Sequence, residues 1–347
     1  SKIKKSEKFQ EGSYIFKTKD VVKKFMVKLL SLLNEHFPNE TILKLVITIP
    51  ERENVIVDLL KNILAELGIR NDRLVILGHK QSYMYYAVSQ PKELWANSVG
   101  LFEFDEMGLR YTNLTVDKRT IPYIVGADVH DLSDIMPYSV LQEKGDVKYM
   151  FLNTANTMLH KKMVTTIYVT GKGFEQRWAT DALKELCNGR RVFRGQNLFN
   201  KGAAYAARML TDREKTKEFI FLDDDMLTSD ISIRTYHNAK MHDVVLAKAG
   251  TLWSDIDESI DIIPDNEDEI QITDKNVLTR ETRAHILSLS GFAVRDNKTT
   301  RFTVRIRFAD QYTCIVTLKD NGFGEFYPST NRIWERYIKI NGADSKN

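Results

Sequence analysis

The stretch that most constrains the fold is residues 167–207, where a strand pattern changes to a helical pattern around two glycines. Ile167 begins a short run of β-branched and aromatic residues, which is typical of a buried strand. Gly171 and Gly173 follow, and their missing side chains allow a sharp turn and a close approach by another group. From about Phe174 apolar residues recur at three- and four-residue steps, which predicts an amphipathic helix. The Gly-Ala-Ala-rich segment after residue 201 predicts a second helix that packs closely against a neighbour.

The composition is typical of a globular protein with more than one domain. The 347 residues exceed what one hydrophobic core usually takes, so two or three domains are expected. A net charge of +3 gives no reason to expect nucleic acid as a partner. The two cysteines, Cys187 and Cys314, lie far apart and form no Cys-x-x-Cys pair, so neither a disulfide framework nor a structural zinc site is expected. This cysteine usage predicts a reducing, cytoplasmic setting.

The sequence also bears on membranes, metals and the chain start. No apolar run approaches the roughly 18 to 20 residues that cross a bilayer, so no membrane partner is predicted. The basic first residues lack the hydrophobic segment of a signal peptide, and the missing initiator Met suggests a processed, tagged or truncated beginning. Residues 1–17 are expected to be poorly ordered or to form an edge strand near Tyr14. The histidines show no metal-ligand spacing, so no metal site is predicted.

Hydrophobic periodicity divides the chain into four segments. Residues 1–116 alternate between helical and strand patterns: helices at 18–36, 53–67 and 81–88, strands at 43–49, 73–78 and 98–105, and a hairpin that returns through 109–116. Residues 117–150 are expected to be loop with at most one hairpin. Residues 151–212 contain the strand–turn–helix stretch. Residues 213–347 show period-two alternation, clearest at 301–308, which predicts an all-β module.

This order of elements resembles the ATPase domain of DnaK-type heat-shock chaperones, members of the actin-like ATPase superfamily. The similarity includes a strand that ends at Pro50, a helix that closes at Gly68, a strand that ends at Asp105 and the glycine turn at residues 171–173. It implies an incomplete α/β actin-like, ribonuclease H-like core, followed by an all-β sandwich-like C-terminal domain. The chain is also similar to uncharacterised Firmicutes proteins that look like shortened relatives of these chaperones.

The resemblance implies a nucleotide site, with ATP or ADP and Mg²⁺ as the candidate cofactors. The residues at the matching positions are Asp105, Gly108, Gly171, Lys172, Gly173 and Phe174. Glycines of this kind let backbone N–H groups approach phosphate, and an aspartate holds Mg²⁺ through water. Separately, a basic loop offers guanidinium groups to an anion or a partner, through Arg190, Arg191 and Arg194. The residues alone equally allow a tight connection, a plain hairpin turn and a solvated basic loop.

Three departures from the chaperone pattern argue against catalysis. Glu106 and Met107 stand where the chaperones have consecutive glycines, and the Glu106 carboxylate would repel phosphate. Residues 117–150 are too short for the helical subdomain that helps to form the adenine pocket. Residues 1–17 contain no first phosphate hairpin. Either that hairpin precedes this chain or the protein lacks half of its phosphate cradle.

Three functional hypotheses follow. The first is a chaperone-related, non-catalytic binding or assembly protein with a protein or peptide partner, a degenerate nucleotide site and no catalytic residue. The alternative is a weak ATP-binding or ATPase switch that controls peptide or protein binding by the β-module. The third is a structural, cytoskeletal actin-like protein.

Overall fold

The computed structural model describes residues 8–11, 14–142, 145–212, 215, 217–237, 239–292 and 295–340. The predicted basic start, residues 1–7, therefore lies outside the described residues. The chain divides into two compact units after Phe219, seven residues beyond the boundary predicted at 212. Within the described residues, no helix is both long and apolar enough to cross a membrane.

The first unit alternates helices and strands. Its elements are β1 (Lys8–Glu11), β2 (Tyr14–Lys17), α1 (Thr18–His36), β3 (Leu45–Ile49), α2 (Asn54–Glu66), β4 (Leu74–Gly78), α3 (His79–Val88), β5 (Ser98–Asp105), β6 (Gly108–Asp117), β7 (Tyr123–Asp131), α4 (Val147–Leu159), β8 (Val164–Thr170), α5 (Arg177–Leu186), β9 (Arg191–Arg194) and α6 (Leu198–Thr211). β10 (Phe219–Leu222) follows, and the division between the two units falls within it.

Two sheets and a short hairpin organise this unit. β1 and β2 form the hairpin, and β3 and β4 form a parallel pair joined through α2. The larger sheet has the order β10-β7-β6-β5-β8-β9. In it β5, β6 and β7 form an antiparallel meander, while β8 and β9 run parallel to β5. The aromatic core of this sheet includes Phe102, Phe104, Phe151 and Phe174, each at most 3% exposed.

The first unit contains the same order of elements twice. A helix, a strand, a crossover helix, a parallel strand and a last helix occur as α1-β3-α2-β4-α3 and again as α4-β8-α5-β9-α6. The two last helices, α3 and α6, pack directly against each other. Gly202 of α6 lies at this contact, where a Cβ atom would be 1.9 Å from the carbonyl oxygen of Ser82 in α3. The predicted close packing of the small-residue helix is thus confirmed.

For residues 117–150 the sequence predicts a loop with at most one hairpin, and the structure has the second strand of a hairpin there. β6 continues to Asp117, and β7 is a full strand of the larger sheet, paired with β6 from Asp117↔Ile124 to Arg110↔Asp131. Pro122 lies just before β7, a position where a strand tolerates proline. Gly126 lies within the strand, with no atom within 4 Å of where its Cβ would be. Proline and glycine are typical of loops, but this segment forms a strand because it pairs with β6.

The described part of the second unit consists of strands joined by loops, with one short helical turn at residues 253–255. Its strands are β11 (Ser229–His237), β12 (Lys240–Ala247), β13 (Asp257–Ile262), β14 (Glu269–Asn276), β15 (Thr282–Ser288), β16 (Phe302–Asp310), β17 (Thr313–Asp320) and β18 (Ile333–Lys339). They form two antiparallel four-stranded sheets, β12-β11-β14-β15 and β13-β16-β17-β18. One apolar core contains residues of both sheets, among them Ile231, Ile272, Val304 and Val316.

A buried ion pair lies at the end of β17. Asp320 is fully buried, and its two carboxylate oxygens each accept a hydrogen bond from the Arg295 guanidinium at 2.9 Å. The Asp320 carboxylate also accepts bonds from the Thr330 hydroxyl at 2.6 Å and from the Gly322 N–H at 2.8 Å. Arg295 donates further to the carbonyl of Pro328 at 2.9 Å. This network fixes the loop that follows β17.

Candidate functional site

The tight turn between β5 and β6 carries the first predicted site residues. Asp105 is paired with Gly108, so only Glu106 and Met107 lie between the strands. The Asp105 carboxylate accepts a hydrogen bond from the Met107 N–H at 2.9 Å. Gly108 has a φ of +93°, and a Cβ atom there would lie 2.6 Å from the Cβ atom of Ser133. Both Asp105 and Gly108 therefore have a structural role in this turn.

The turn after β8 carries the second group. Gly171 has a φ of +101°, and a Cβ atom there would lie 2.3 Å from the carbonyl oxygen of Phe104. At Gly173 a Cβ atom would lie 2.4 Å from the Phe104 ring, and Phe174 is itself buried against that ring. Residues 172–175 form a 3₁₀ turn, and α5 begins at Arg177, three residues after the predicted start. Close packing against β5 thus requires both glycines.

The two turns meet at one edge of the larger sheet. β5 and β8 are parallel neighbours, so their carboxyl ends lie side by side. The Lys172 ammonium is 3.2 Å from the Glu106 carboxylate, and both side chains are mostly exposed. The hydrogen bond to Glu106 raises the pKa of Lys172. The structure therefore brings together six of the predicted residues: Asp105, Gly108, Gly171, Lys172, Gly173 and Phe174.

A partly buried cluster of charges lies directly beside the β5–β6 turn. Arg110 of β6 is the register partner of Glu103 in β5, and its guanidinium is 3.1 Å from the Glu103 carboxylate. The same guanidinium is 3.7 Å from Asp105. His79, at the start of α3, lies 3.6 Å from Glu103 and stacks on Phe199 of α6 with ring centroids 3.8 Å apart. Arg110 and Glu103 are only 20% and 12% exposed.

The two carboxylates of this cluster differ in acidity. Burial raises the pKa of Glu103, but His79 and Arg110 outweigh burial, so the pKa of Glu103 is lowered. Burial also raises the pKa of Asp105, and the charge of Glu103 adds to this effect, while Met107 and Arg110 oppose it. A Mg²⁺ ion at Asp105 would have to compete with the Arg110 guanidinium for the carboxylate. Among the described residues, no three His, Cys, Asp or Glu side chains are grouped to hold a metal.

The three predicted anion-binding arginines do not join this cluster. Residues 191–194 form strand β9, not a loop; Arg191 is paired with Thr166 and Arg194 with Val169 in β8. Arg190 and Arg191 therefore lie near the start of β8, roughly 15 Å along the strand from the glycine turn. Arg190 and Arg191 line an open cavity of about 420 Å³ with Glu93, Asn97, Thr165 and Gly189. Arg194 instead donates to the Thr180 hydroxyl at 3.1 Å.

Glu103, Arg110 and His79 of the charged cluster were not among the residues predicted from the sequence. Glu103 lies two residues before Asp105, so strand periodicity places both side chains on one face. A two-residue hairpin turn then places Arg110 opposite Glu103. The sequence predicts this hairpin with a three-residue turn, 106–108, whereas the structure has two residues, and that difference of one residue places Arg110 opposite Glu103. His79 has no comparable signal, since its place depends on the packing of α3 against α6.

Replacing Gly173 with alanine should destabilise the first unit by about 1–3 kcal/mol, because the added methyl group would overlap the buried Phe104 ring. Chemical denaturation followed by hydrogen exchange in β5 and β8 would measure the loss. Lys172→Ala, in the same turn, removes only an exposed pair and serves as the control. Equal stability of Gly173→Ala and the native chain would contradict the packing role.

The chain belongs to a family without an assigned activity. Residues 1–224 match the model described as the C-terminal part of a family of unknown function, DUF5716, so the chain is a member of that family. Residues 226–340 match a second domain of unknown function, DUF8552. The boundary between the two matches lies within a few residues of the division between the two units. No curated protein matches the chain.

Proposed function

We propose that this chain is a binding or assembly protein, related to DnaK-type chaperones, whose nucleotide site has degenerated. The main observation behind this proposal is the position of the Arg110 guanidinium, which lies 3.1 Å from Glu103 and 3.7 Å from Asp105. In a nucleotide site of this type, Mg²⁺ supplies the positive charge beside the aspartate. Here the Arg110 side chain supplies a positive charge that Glu103 and Asp105 share, without an ion.

The strand order of the larger sheet supports the actin-like ancestry. The meander β5-β6-β7 extends on one side of β5, and β8 and β9 continue in parallel on the other side with helices between them. This is the order expected of a ribonuclease H-like core. The second unit follows in the chain at the place where the chaperones have their peptide-binding sandwich.

The geometry of the β5–β6 turn disfavours phosphate. Glu106 and Met107 occupy the turn, and the Glu106 carboxylate projects toward Lys172 at the sheet edge where phosphates would bind. A carboxylate repels phosphate, and its pairing with Lys172 uses the nearby positive charge. The turn therefore lacks the open backbone N–H groups of a phosphate cradle.

The second unit offers a surface suited to a protein or peptide partner. Phe326 is 94% exposed and Phe323 is 48% exposed in the loop after β17. Hydrogen bonds from the Phe323 N–H to the Tyr327 carbonyl, and from Arg295 to the Pro328 carbonyl, hold this loop. Exposed aromatic side chains on a fixed loop are common anchors in protein interfaces.

A nucleotide-controlled switch is the second candidate function. The two predicted turns meet at the carboxyl ends of β5 and β8. This position favours a nucleotide switch, because open α/β sheets bind ligands at that edge. In such a switch, nucleotide binding would alter the affinity of the β-module for its partner.

Calorimetric titration with ATP–Mg²⁺ and ADP–Mg²⁺ should give no binding heat, which corresponds to a Kd weaker than about 1 mM. The physical reason is that Arg110 and Glu106 occupy the positions of the ion and the phosphates. Titration with MgCl₂ alone is the control for heats of dilution and ion binding.

A micromolar Kd for either nucleotide would overturn the proposal in favour of the switch. Lys172→Ala would then test the placement, since Lys172 is exposed and its loss leaves the glycine packing intact. Weaker nucleotide binding in Lys172→Ala would locate the site at the two turns.

A further inference from the structure

The parallel pair β3–β4 has two outer edges that no described strand occupies, one along β3 and one along β4. β3 reads Leu-Val-Ile-Thr-Ile, without the charge, proline or bulge that usually protects a free edge. Its faces are covered: Ile47 packs with the core beneath α2, and the Thr48 hydroxyl is 2.7 Å from the Ser82 hydroxyl of α3. All five β3 residues are nevertheless partly exposed, whereas Ile76 and Leu77 of β4 are buried. β3 thus has the sequence of an interior strand at an open edge.

Helix α1 exposes a row of apolar side chains beside this pair. The helix spans the predicted residues, but its apolar residues do not all face the core. Phe25 is 58% exposed and Leu29 is 45% exposed. We call the row the α1 stripe; it consists of Val21, Phe25, Leu29 and Leu32, all at least 36% exposed. A continuous row of this kind marks an interaction surface.

The α1 stripe faces away from α2. Lys19 and Lys23 each donate to Glu66 of α2 at 2.7 Å, which defines the α2 side of the helix. Val22 and Met26 pack against the core of the parallel pair. Because successive residues rotate by about 100° around a helix, the stripe lies beyond Val22 and Met26, on the side opposite Lys19 and Lys23.

The second repeat shows what occupies the corresponding place. There, β8 takes the position of β3, and its outer edge is paired in parallel with β5, the first strand of the β5-β6-β7 meander. Helix α4, at the position of α1, buries Phe151 against Phe102 of β5 with ring centroids 5.4 Å apart. The meander thus both pairs with the strand edge and covers the helix.

We propose that the free edge of β3 and the α1 stripe together bind an antiparallel β-meander whose first strand runs parallel to β3. Its inward side chains would be apolar and would pack under the stripe, as Phe102 of β5 packs under α4. This inference rests on the proposed binding or assembly function, and it identifies the β3 edge and the α1 stripe as a surface that serves that function.

The occupant that we propose is the N-terminal part of a DUF5716 protein. The matching family model is described as the C-terminal part of that family. α1 also carries Lys24 and Lys28 next to the stripe, so a second copy of this chain would bring like charges together, while an acidic segment would be complementary.

The test uses the N-terminal part of a DUF5716 protein, purified as a separate polypeptide and mixed with this chain. We expect a complex in which amide exchange of β3 slows by at least about tenfold, because new strand pairing protects its free edge. The absence of a complex, or a complex with unchanged exchange in β3, would overturn the proposal.

Two matched variants of α1 locate the contact. Leu29 and Val27 are 45% and 46% exposed, but Val27 lies on the other side of the helix from the stripe. Leu29→Glu should weaken the complex at least about tenfold, and Val27→Glu less than about twofold. Equal effects of the two variants, or self-association of this chain that Leu29→Glu abolishes, would refute the proposed occupant. The nucleotide titration is independent of both results, so the two proposals can fail separately.

Discussion

Replacing Gly202 with alanine should destabilise the first unit by about 2–3 kcal/mol, even though alanine favours a helix by about 1 kcal/mol over glycine. The added methyl group would lie 1.9 Å from the carbonyl oxygen of Ser82. That atom belongs to the backbone of α3, so no side-chain rotation relieves the overlap. The two helices would have to separate, and the packing that joins the two repeats would be lost.

Chemical denaturation of Gly202→Ala, with hydrogen exchange measured in α3 and α6, would give the size of this effect. Gly126→Ala is the matched control, because it adds the same methyl group in β7, where nothing lies within 4 Å. That control should be neutral or slightly stabilising. A Gly202→Ala chain as stable as the control would show that the helices tolerate a wider spacing.

The second large effect is expected in the second unit, at Arg295. Arg295→Met should cost about 3–5 kcal/mol, because it leaves the buried Asp320 carboxylate without its ion partner. Arg305→Met is the control: Arg305 pairs with Asp257 on the surface, where both side chains are about half exposed. Its loss should have little effect on stability. Chemical denaturation of both variants, with hydrogen exchange measured for the β16–β18 amides, would give the stability that each variant loses.

The Arg295 effect should also depend on pH. Burial alone would raise the pKa of Asp320, but the bonds from Arg295, Thr330 and Gly322 hold it well below its usual range. A carboxyl group with a lowered pKa in the folded state contributes stability above its unfolded pKa of about 3.9, and this contribution is lost as the pH falls. The stability gap between the native chain and Arg295→Met should therefore narrow from pH 5 toward pH 2. A stability difference that stays constant from pH 5 to pH 2 would contradict the role of Arg295 in lowering the pKa of Asp320.

Local sequence patterns predicted many elements because those elements depend on their own residues. The α1 helix has the predicted bounds, and the hairpin at residues 105–108 and the glycine turn at 171–173 occur where expected. The six residues predicted around those turns come together, because parallel strands end at one edge. Their nucleotide-binding role stays a prediction.

Other features depend on contacts between distant segments, which local patterns do not contain. Pro122 and Gly126 resemble turn signals, so the sequence predicts a loop with at most one hairpin at 117–150, but pairing with β6 makes residues 123–131 a full strand. Periodicity identifies an apolar row on α1 without showing what covers it, so it does not predict the exposure of Phe25. The sequence predicts one basic loop at residues 190–194, whereas pairing with β8 places Arg191 and Arg194 at different points along a strand.

The Arg110 guanidinium also has a consequence for regulation. A metal ion binds and leaves with its concentration, and its presence can report the state of a bound nucleotide. Arg110 is covalently part of β6, so the charge between Glu103 and Asp105 is constant over the physiological range. On the proposed function, a change in metal-ion concentration would therefore leave the charge at these strands unaltered.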